Sequence, residues 1–317
     1  MSDRQQSVPA VHPAEWPTAC IGPGRVGTAL TRALHGLGFP IMAVGGGDGT
    51  WAGRLAEEVG AQVVDAPYEG LGEDIRLVTV TTPDSAFGQV ARELAGSAHL
   101  RAGTILLHTS ATEPASVLRA RREDGSSWLA EGVRCLSMHP MRPFPDRQGT
   151  RERFEDAVLG LEGDMEALPM GRWLARELGG HPVELDTGQK ALYHTAGVLA
   201  AAGMMALDWA ASRIAEQLEL EDVFMEKGIR RGMEEVLALV REPGLPEGLT
   251  GPISRGDIEV VTHHLEAARR LGPDYERLYR AIARINLEVA RRQGRVARER
   301  LDALQQLLEE GEPGRKG

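Results

Sequence analysis

Residues 22–27 read Gly22-Pro23-Gly24-Arg25-Val26-Gly27, and this stretch decides the fold class of the chain. It follows a short apolar run at residues 18–21 and opens an amphipathic segment. In a strand-to-helix turn, the first glycine permits the tight turn, the second lets a pyrophosphate approach the backbone, and the third allows close helix packing. Backbone amides at the start of the helix then face the phosphates. The stretch therefore predicts a dinucleotide-binding loop, and a tight turn that binds nothing is the alternative.

The segments around this loop alternate between short apolar runs and amphipathic stretches, which is typical of strands and helices around a parallel sheet. Strands are predicted at residues 18–21, 41–44, 62–64, 77–81, 104–108, 134–138, 157–161 and 182–185. Helices are predicted at residues 26–37, 51–59, 85–94, 113–122 and 166–178. Beyond Asp186 the pattern is helical only. The predicted fold class is α/β, with a Rossmann-type parallel sheet followed by a second, all-α C-terminal domain.

The change of pattern at Asp186 sets the predicted domain boundary. We predict a flexible tail at residues 1–15, a dinucleotide-binding domain at 16–186, a helical substrate or dimerisation domain at 187–300, and a charged tail at 301–317.

The first helix after this boundary begins with a capping-box pair, Asp186 and Gln189, and continues to about Gln217. It is rich in Ala and Gly and apolar on nearly every face, so we expect it to be buried on all sides. A domain of this size is small for burying so long a helix alone. We therefore predict a homodimer in which a partner subunit covers the face that bears Gly197, Ala201 and Met204.

The composition excludes several classes of protein. With 42% hydrophobic and 26% charged residues, the chain is typical of soluble globular proteins. The formal charge of −10 opposes binding to nucleic-acid phosphates, so no nucleic-acid partner is expected. The longest uncharged apolar stretch, residues 195–207, is shorter than the roughly 20 residues that cross a bilayer, so no membrane span is expected.

The cysteine and histidine patterns predict the cellular compartment of the protein and argue against a metal-binding site. Cys20 and Cys135 are too few for a disulfide framework and lack the spacing of a zinc site. With no signal-peptide pattern at the N-terminus, they predict a cytoplasmic protein. The adjacent His263 and His264 suit neither helical nor strand chelation, so no metal is expected.

The end of the second strand is where cofactors with and without a 2′-phosphate are distinguished. Residues 44–48, Val-Gly-Gly-Gly-Asp, have neither an acid directly at the strand end nor the usual Arg. Arg25 could reach a 2′-phosphate. The sequence therefore favours NADP, and NAD stays open.

Polar residues follow three further strands at the carboxyl edge of the sheet, where open α/β sheets bind ligands. We assign Thr82, Pro83, His108 and Ser110 to the cofactor and His139 to catalysis. Two structural alternatives stay open. Thr82 can cap a helix that has Pro83 at its first position, and a single histidine at a strand end can be purely structural.

Lys190 and His194 lie one turn apart on the same face of the helix that follows Asp186. Burial lowers the pKa of a lysine, and the pKa of histidine is near neutrality, so either could transfer a proton. Lys occurs only at positions 190, 227 and 316, which favours a function for Lys190. The alternative is a lysine whose ammonium extends into solvent.

Residues 249–257, Leu-Thr-Gly-Pro-Ile-Ser-Arg-Gly-Asp, precede another amphipathic helix. Ser254 and Asp257 have the spacing of a capping box, which accounts for both. Capping does not explain Arg255, which could hold the carboxylate or phosphate of a substrate.

These motifs together resemble one family. They are the loop at 22–27, Thr-Thr-Pro-Asp at 81–84, His-Thr-Ser at 108–110, Met-His-Pro at 138–140, Lys190 with Tyr193 and His194, and Gly-Pro-Ile-Ser-Arg-Gly-Asp at 251–257. The family is bacterial and has a Rossmann-like N-terminal domain and a helical C-terminal domain of unknown function. It is distantly similar to ketopantoate reductase and pyrroline-5-carboxylate reductase. The resemblance covers residues 17–290.

In the ketopantoate reductase and hydroxyacid dehydrogenase group, an Asn follows the catalytic Lys four residues later on the same helix. The corresponding pair here is Lys190 and His194, so this chain departs from the pattern at the second position. The resemblance implies an NAD(P)-dependent oxidoreductase that transfers a hydride between a nicotinamide cofactor and a small carbonyl, imine or hydroxy compound. Lys190 would exchange the proton, His194 and His139 would assist, and Arg255 would anchor an anionic group of a small-molecule substrate. The alternative is a dinucleotide-binding sensor or assembly protein without turnover.

Overall fold

The computed structural model describes residues 12–47, 49–97, 100–119, 125 and 127–310. Its contacts divide the chain into two compact units, Met1–Ala200 and Ala201–Gly317. The boundary predicted at Asp186 therefore lies inside the first unit. The reason is that Lys190 and Tyr193, at the start of the long helix, donate hydrogen bonds to Ser137 and His139 of the sheet.

The first unit is built on one sheet of eight strands. They are β1 Thr18–Ile21, β2 Ile41–Gly45, β3 Gln62–Val64, β4 Leu77–Val80, β5 Ile105–His108, β6 Arg134–Pro140, β7 Val158–Gly163 and β8 His181–Glu184. The helices between them are α1 Arg25–Gly36, α2 Gly49–Val59, α3 Phe87–Ser97 and α4 Leu168–Glu177. The α/β fold class predicted from the sequence is confirmed.

The strand order is β3-β2-β1-β4-β5-β6-β7-β8. β1 pairs in parallel with both β2 and β4. The strands β2 and β3 therefore extend the sheet on one side of β1, and the strands from β4 onward extend it on the other side. Ligands of open α/β sheets bind at such a point. The neighbouring strands of the sheet are parallel except at one pairing, where β7 runs antiparallel to β6. The antiparallel pairing sets Glu162 directly opposite Ser137.

Alternating residues of the central strands pack into two separate hydrophobic layers. Cys20 belongs to the layer that contains Leu30 of α1, whereas Ala19 and Ile21 belong to the layer that contains Ala91 of α3. Because successive side chains of a strand point to opposite faces, both faces of the sheet are covered by helices. The edge formed by the carboxyl ends of the parallel strands is left for polar residues.

Several predicted elements differ in extent or type. The segment 113–122, predicted as a helix, has a 3₁₀ helix at Ala115–Arg119, and residues 120–122 lie outside the described part of the chain. Most of the predicted charged tail at 301–317 belongs to helix α10, Arg298–Glu309, whose Leu301, Leu304 and Leu308 are buried. The predicted tail residues 1–11 and 311–317, and Asp48 after β2, also lie outside the described residues.

Helix α5, Lys190–Gln217, begins in the first unit and ends in the second. The prediction that it is buried on all sides is wrong for this chain by itself, since Leu192, Leu199, Met205 and Trp209 are between 66% and 76% exposed. Over Thr187–Gln217 this helix is, by length and composition alone, long and apolar enough to cross a membrane. The uncharged stretch at 195–207, from which no membrane span was expected, is only part of this helix.

The secondary-structure elements of the second unit, within its described residues, are all helices. A π-helix at Phe224–Arg230 leads into α6 Arg231–Arg241, followed by the short α7 Pro252–Arg255, then α8 Ile258–Leu271, α9 Pro273–Gln293 and α10. Apolar residues of α7 to α10, including Ile253, Val261 and Leu287, form its core. Arg280 is buried in this unit and pairs with Glu276.

Candidate active site

The glycine loop lies directly after β1, as predicted. Gly22 has a φ of +93°, and a Cβ there would lie 2.6 Å from the backbone nitrogen of Thr82. A Cβ on Gly27 would overlap the carbonyl oxygen of Gly22 and the hydroxyl of Thr81. That hydroxyl donates to the Gly22 carbonyl at 2.6 Å, which ties the loop to the end of β4. Gly22 and Gly27 are therefore required by packing within the protein.

Gly24 differs from its two neighbours in the motif. It is the N-cap of α1, has an ordinary φ of −73°, and makes no side-chain cap. A Cβ on Gly24 would meet no atom within 4 Å. No internal contact therefore requires glycine here, and the open space adjoins the free backbone amides at the start of α1. This is where a dinucleotide pyrophosphate needs access, so the loop fits such a cofactor.

Thr82 and Pro83 follow β4 next to the loop. Pro83 itself is the N-cap of the 3₁₀ helix Asp84–Ala86, and no side chain caps that helix. The alternative in which Thr82 caps a helix starting at Pro83 is therefore wrong. The Thr82 hydroxyl is buried and has no hydrogen-bond partner among the described residues. A buried hydroxyl without a partner is costly, so this position also fits contact with a ligand.

The end of β2 is made of Gly45, Gly46 and Gly47, and the last two have positive φ. Arg25, the first residue of α1, is exposed. The described residues at this strand end contain no carboxylate that would select a free ribose hydroxyl.

His108 and Ser110 lie after β5 in a connected set of polar groups. The Ser110 hydroxyl donates to Asp84 at 2.7 Å, and the Ser110 amide donates to Nδ1 of His108 at 3.1 Å. Since Nδ1 of His108 accepts, its proton is on Nε2, which is buried near the backbone of Pro114. Burial, with a smaller effect of the Lys190 charge, lowers the pKa of His108 to about 3. His108 is therefore neutral at physiological pH.

Lys190 is 2% exposed and lies against the ends of β5 and β6. Its ammonium donates to the carbonyl oxygen of Ser110 at 3.2 Å and to the hydroxyl of Ser137. Burial lowers the pKa of Lys190 to about 8, although the negative charges of Glu162, Asp84 and Glu113 act in the opposite direction. The alternative of a solvent-exposed ammonium is therefore wrong.

Glu162 is a residue of this site that the sequence analysis missed. Its Oε2 lies 3.9 Å from the Lys190 nitrogen and accepts from the Ala115 amide at 2.6 Å, and its Oε1 accepts from Thr187 at 3.0 Å. A search of the carboxyl ends of parallel strands cannot find it, because Glu162 lies in the antiparallel β7. The signal for it is the register of β6 and β7, in which Glu162 pairs with Ser137.

His139 and His194 lie close to each other, with ring centroids 5.4 Å apart and ring planes nearly perpendicular. Tyr193 also packs edge-on to His139 and donates to its backbone carbonyl at 3.3 Å. Burial, followed by the charges of His194 and Lys190, lowers the pKa of His139 to about 4. Nδ1 of both histidines is buried without a partner among the described residues. The two histidines predicted to assist catalysis are thus together.

The predicted substrate residue Arg255 is the last residue of α7, in the second unit. The capping box predicted there is wrong: the Ser254 hydroxyl donates to the Gly251 carbonyl at 2.8 Å, and Asp257 alone caps α8. Upstream, the predicted capping box of Asp186 and Gln189 is present. Within the described residues, no cluster of three or more His, Cys, Asp or Glu residues could hold a metal ion. His264 instead hydrogen-bonds to Tyr279 at 3.0 Å.

Comparison with protein families matches the two parts of the chain separately. A family model described as a Rossmann-like domain matches residues 1–132, and a domain of unknown function, DUF2520, matches residues 157–285. The chain joins a Rossmann-like domain to a DUF2520 domain. This confirms the family resemblance inferred from the sequence. The Rossmann-like match contains the glycine loop and Ser110, whereas the DUF2520 match contains Glu162, Lys190 and Arg255.

Solved structures with this combined fold cover most of the chain. A protein of Thermotoga maritima is 24% identical, with a TM-score of 0.68 over 88% of this chain and 100% of that one. A candidate NADP oxidoreductase of Bacteroides fragilis is 22% identical, with a TM-score of 0.65 over 87% and 99%. A pyrroline-5-carboxylate reductase of Coxiella burnetii is 14% identical, with a TM-score of 0.54 over 87% and 98%. At these identities they share the fold. No curated protein matches the sequence at a significant level.

Proposed function

We propose that the chain is an NAD(P)-dependent oxidoreductase that transfers a hydride between a nicotinamide cofactor and a small carbonyl, imine or hydroxy compound. The observation that carries this proposal is the buried Lys190. It is held by Ser110 and Ser137 at the carboxyl edge of a dinucleotide-binding sheet, and its pKa is lowered to about 8. A lysine in this state can exchange a proton near neutral pH.

The glycine loop would hold the cofactor. Gly22 and Gly27 close the turn, and the open space at Gly24 would admit the pyrophosphate to the amides of α1. The unpartnered Thr82 hydroxyl would face bound cofactor or substrate, and Pro83, His108 and Ser110 would belong to the same site. Arg25 favours NADP in this proposal. When bound, the nicotinamide supplies or accepts the hydride.

Lys190 would handle the proton that accompanies the hydride. An ammonium has three N–H donors, and two of them are used by the Ser110 carbonyl and the Ser137 hydroxyl. The third could donate to the oxygen or nitrogen of a substrate as it is reduced. Asp84 holds Ser110, so the lysine is positioned by the same loop that follows the cofactor-binding strand β4. His139 and His194, which lie together, would assist.

Mass spectrometry of ligand released from the purified protein tests the cofactor part of this proposal. We expect a nicotinamide dinucleotide, and we expect small keto acids or cyclic imines to be reduced at its expense. Binding of the dinucleotide with no hydride transfer to any such compound would favour a sensor or assembly protein. Absence of dinucleotide binding would contradict both functions.

A further inference from the structure

Three exposed arginines of the second unit line one cavity of about 620 Å³, which is open to solvent. Arg255 lies at the end of α7, Arg295 lies between α9 and α10, and Arg300 lies in the first turn of α10. The other residues that line the cavity are Leu249, Thr250, Gly251, Ser254, Val296 and Ala297. The cavity is therefore basic on part of its surface and apolar on another part, and all of its lining residues belong to the second unit.

The three guanidinium groups have no acidic partner in this part of the protein. Among the described residues, no carboxylate lies within the 4.0 Å ion-pair distance of Arg255, Arg295 or Arg300. By contrast, Arg280 of the same unit is paired with Glu276 at 2.8 Å. Three positive charges around one cavity repel each other, and the chain as a whole carries a net charge of −10. A bound anion would relieve this repulsion.

The nearby backbone positions one of these arginines. Nη1 of Arg300 donates to the carbonyl oxygen of Gly256 at 3.5 Å. Gly256 has a φ of +68°, and a Cβ there would lie 3.4 Å from Cβ and Cδ of Arg300 and 2.6 Å from Val296. The stem of Arg300 therefore packs over a backbone turn with little free space. Asp257, two residues after Arg255, is already used as the cap of α8, where it accepts from the Val260 amide.

We propose that Arg255, Arg295 and Arg300 form a binding site for a phosphate-bearing small molecule. Guanidinium groups bind phosphate oxygens through paired N–H donors, and three of them provide more donors than one carboxylate can accept. The cavity volume lies in the range of small-molecule sites. The apolar wall of Leu249 and Val296 would contact the rest of the ligand. The proposal extends the prediction for Arg255 alone and does not depend on hydride transfer.

Calorimetric titration with pyrophosphate and inorganic phosphate tests this site directly. Because pyrophosphate could also bind the glycine loop, the titration uses the full chain with Gly24→Asp, which blocks the loop. In this background we expect pyrophosphate to bind. We expect Arg255→Ala, Arg295→Ala or Arg300→Ala each to weaken it about tenfold or more, as for the loss of a charge-assisted hydrogen bond. Arg292→Ala, at the exposed end of α9 outside the cavity, is the matched control.

Three results would overturn the proposal. One is no pyrophosphate binding in the Gly24→Asp background. Another is unchanged affinity in all three arginine variants, and the third is an equal loss in Arg292→Ala, which would show general charge attraction only. Failure of dinucleotide binding or of turnover in the wild-type chain would count against the proposed oxidoreductase and leave this site unaffected, so the two failures are distinguishable.

Discussion

The carboxylate of Glu162 lies 3.9 Å from the ammonium of Lys190, although the two residues come from β7 and from the helix that follows the sheet. Glu162 is fixed by the Ala115 amide and the Thr187 hydroxyl, and Lys190 is fixed by Ser110 and Ser137. The charge of Glu162 helps Lys190 to keep its proton. Burial lowers the pKa of Lys190, and the charge of Glu162 is the largest effect that opposes this.

Glu162→Gln should therefore lower the pKa of Lys190 further, since the variant removes the negative charge and keeps the shape of the side chain. NMR titration of protein labelled at lysine Cε can follow this, because the chain has only three lysines. Glu166→Gln, at a carboxylate that pairs with Arg134, is the control and should leave the titration unchanged. An unchanged or higher Lys190 pKa in Glu162→Gln would show that the charge of Glu162 does not raise the pKa of Lys190.

Gly24→Asp should abolish binding of the nicotinamide dinucleotide while the protein stays folded. A Cβ at this position meets no atom within 4 Å, so the new side chain would occupy space that the pyrophosphate needs and would repel it. Gly36→Asp, at the other end of α1 and equally open, should bind the cofactor normally. Calorimetric titration measures both. Unchanged affinity in a folded Gly24→Asp variant would disprove the loop assignment.

Arg25→Ala tests the preference for NADP. If Arg25 holds the 2′-phosphate, the variant should bind NADPH about 10-fold to 100-fold more weakly, which is the usual effect of losing a hydrogen bond to a charged group. Its affinity for NADH should change little. An equal loss for both cofactors, or no loss for NADPH, would mean that Arg25 does not read the 2′-phosphate.

We propose that α5 forms a homodimer interface, because its exposed residues include Leu199 and Met205, at 72% and 76%. Of the residues predicted for this face, Gly197 needs a correction. A Cβ there would overlap the sulfur of Met141, so Gly197 packs against its own unit. Light scattering should give a molar mass twice the 34.3 kDa of one chain, and the Met205→Glu variant should have the mass of a single chain. A monomeric wild type at micromolar concentration, or partition of the chain into membranes, would rule out this dimer.

The sheet can be predicted from the sequence because strands such as β1 and β3 are short apolar runs bounded by turn residues. The polar residues at the carboxyl ends of parallel strands can be predicted to meet, because these ends share one edge of the sheet. Glu162 is beyond this reasoning, since it becomes a partner of Lys190 only through the antiparallel pairing of β6 and β7. The cavity around Arg255 also cannot be predicted from the local sequence. Arg295 and Arg300 are distant from it in sequence, and the packing of α7 against α9 and α10 brings them together. Patterns of local spacing do not report such tertiary pairings.

Lys190→Ala should leave cofactor affinity nearly intact and slow turnover by roughly 10²-fold to 10⁴-fold, the usual contribution of a general acid. Lys190→Arg should restore little activity, because a guanidinium stays protonated across the working pH range. Lys227→Ala, at an exposed lysine of the π-helix, is the matched control and should have the wild-type rate.

The pH dependence of kcat/KM for reduction of a substrate by NADPH, in the wild type and in Lys190→Ala, tests the proposed mechanism most directly. Lys190 must carry its proton to donate it, so wild-type kcat/KM should be constant below its pKa of about 8 and should fall above it. This fall should be absent from the slow Lys190→Ala variant. If His139 were the donor, the fall would come near pH 4 instead. A Lys190→Ala variant with the wild-type rate and the same fall above pH 8 would contradict the role of Lys190.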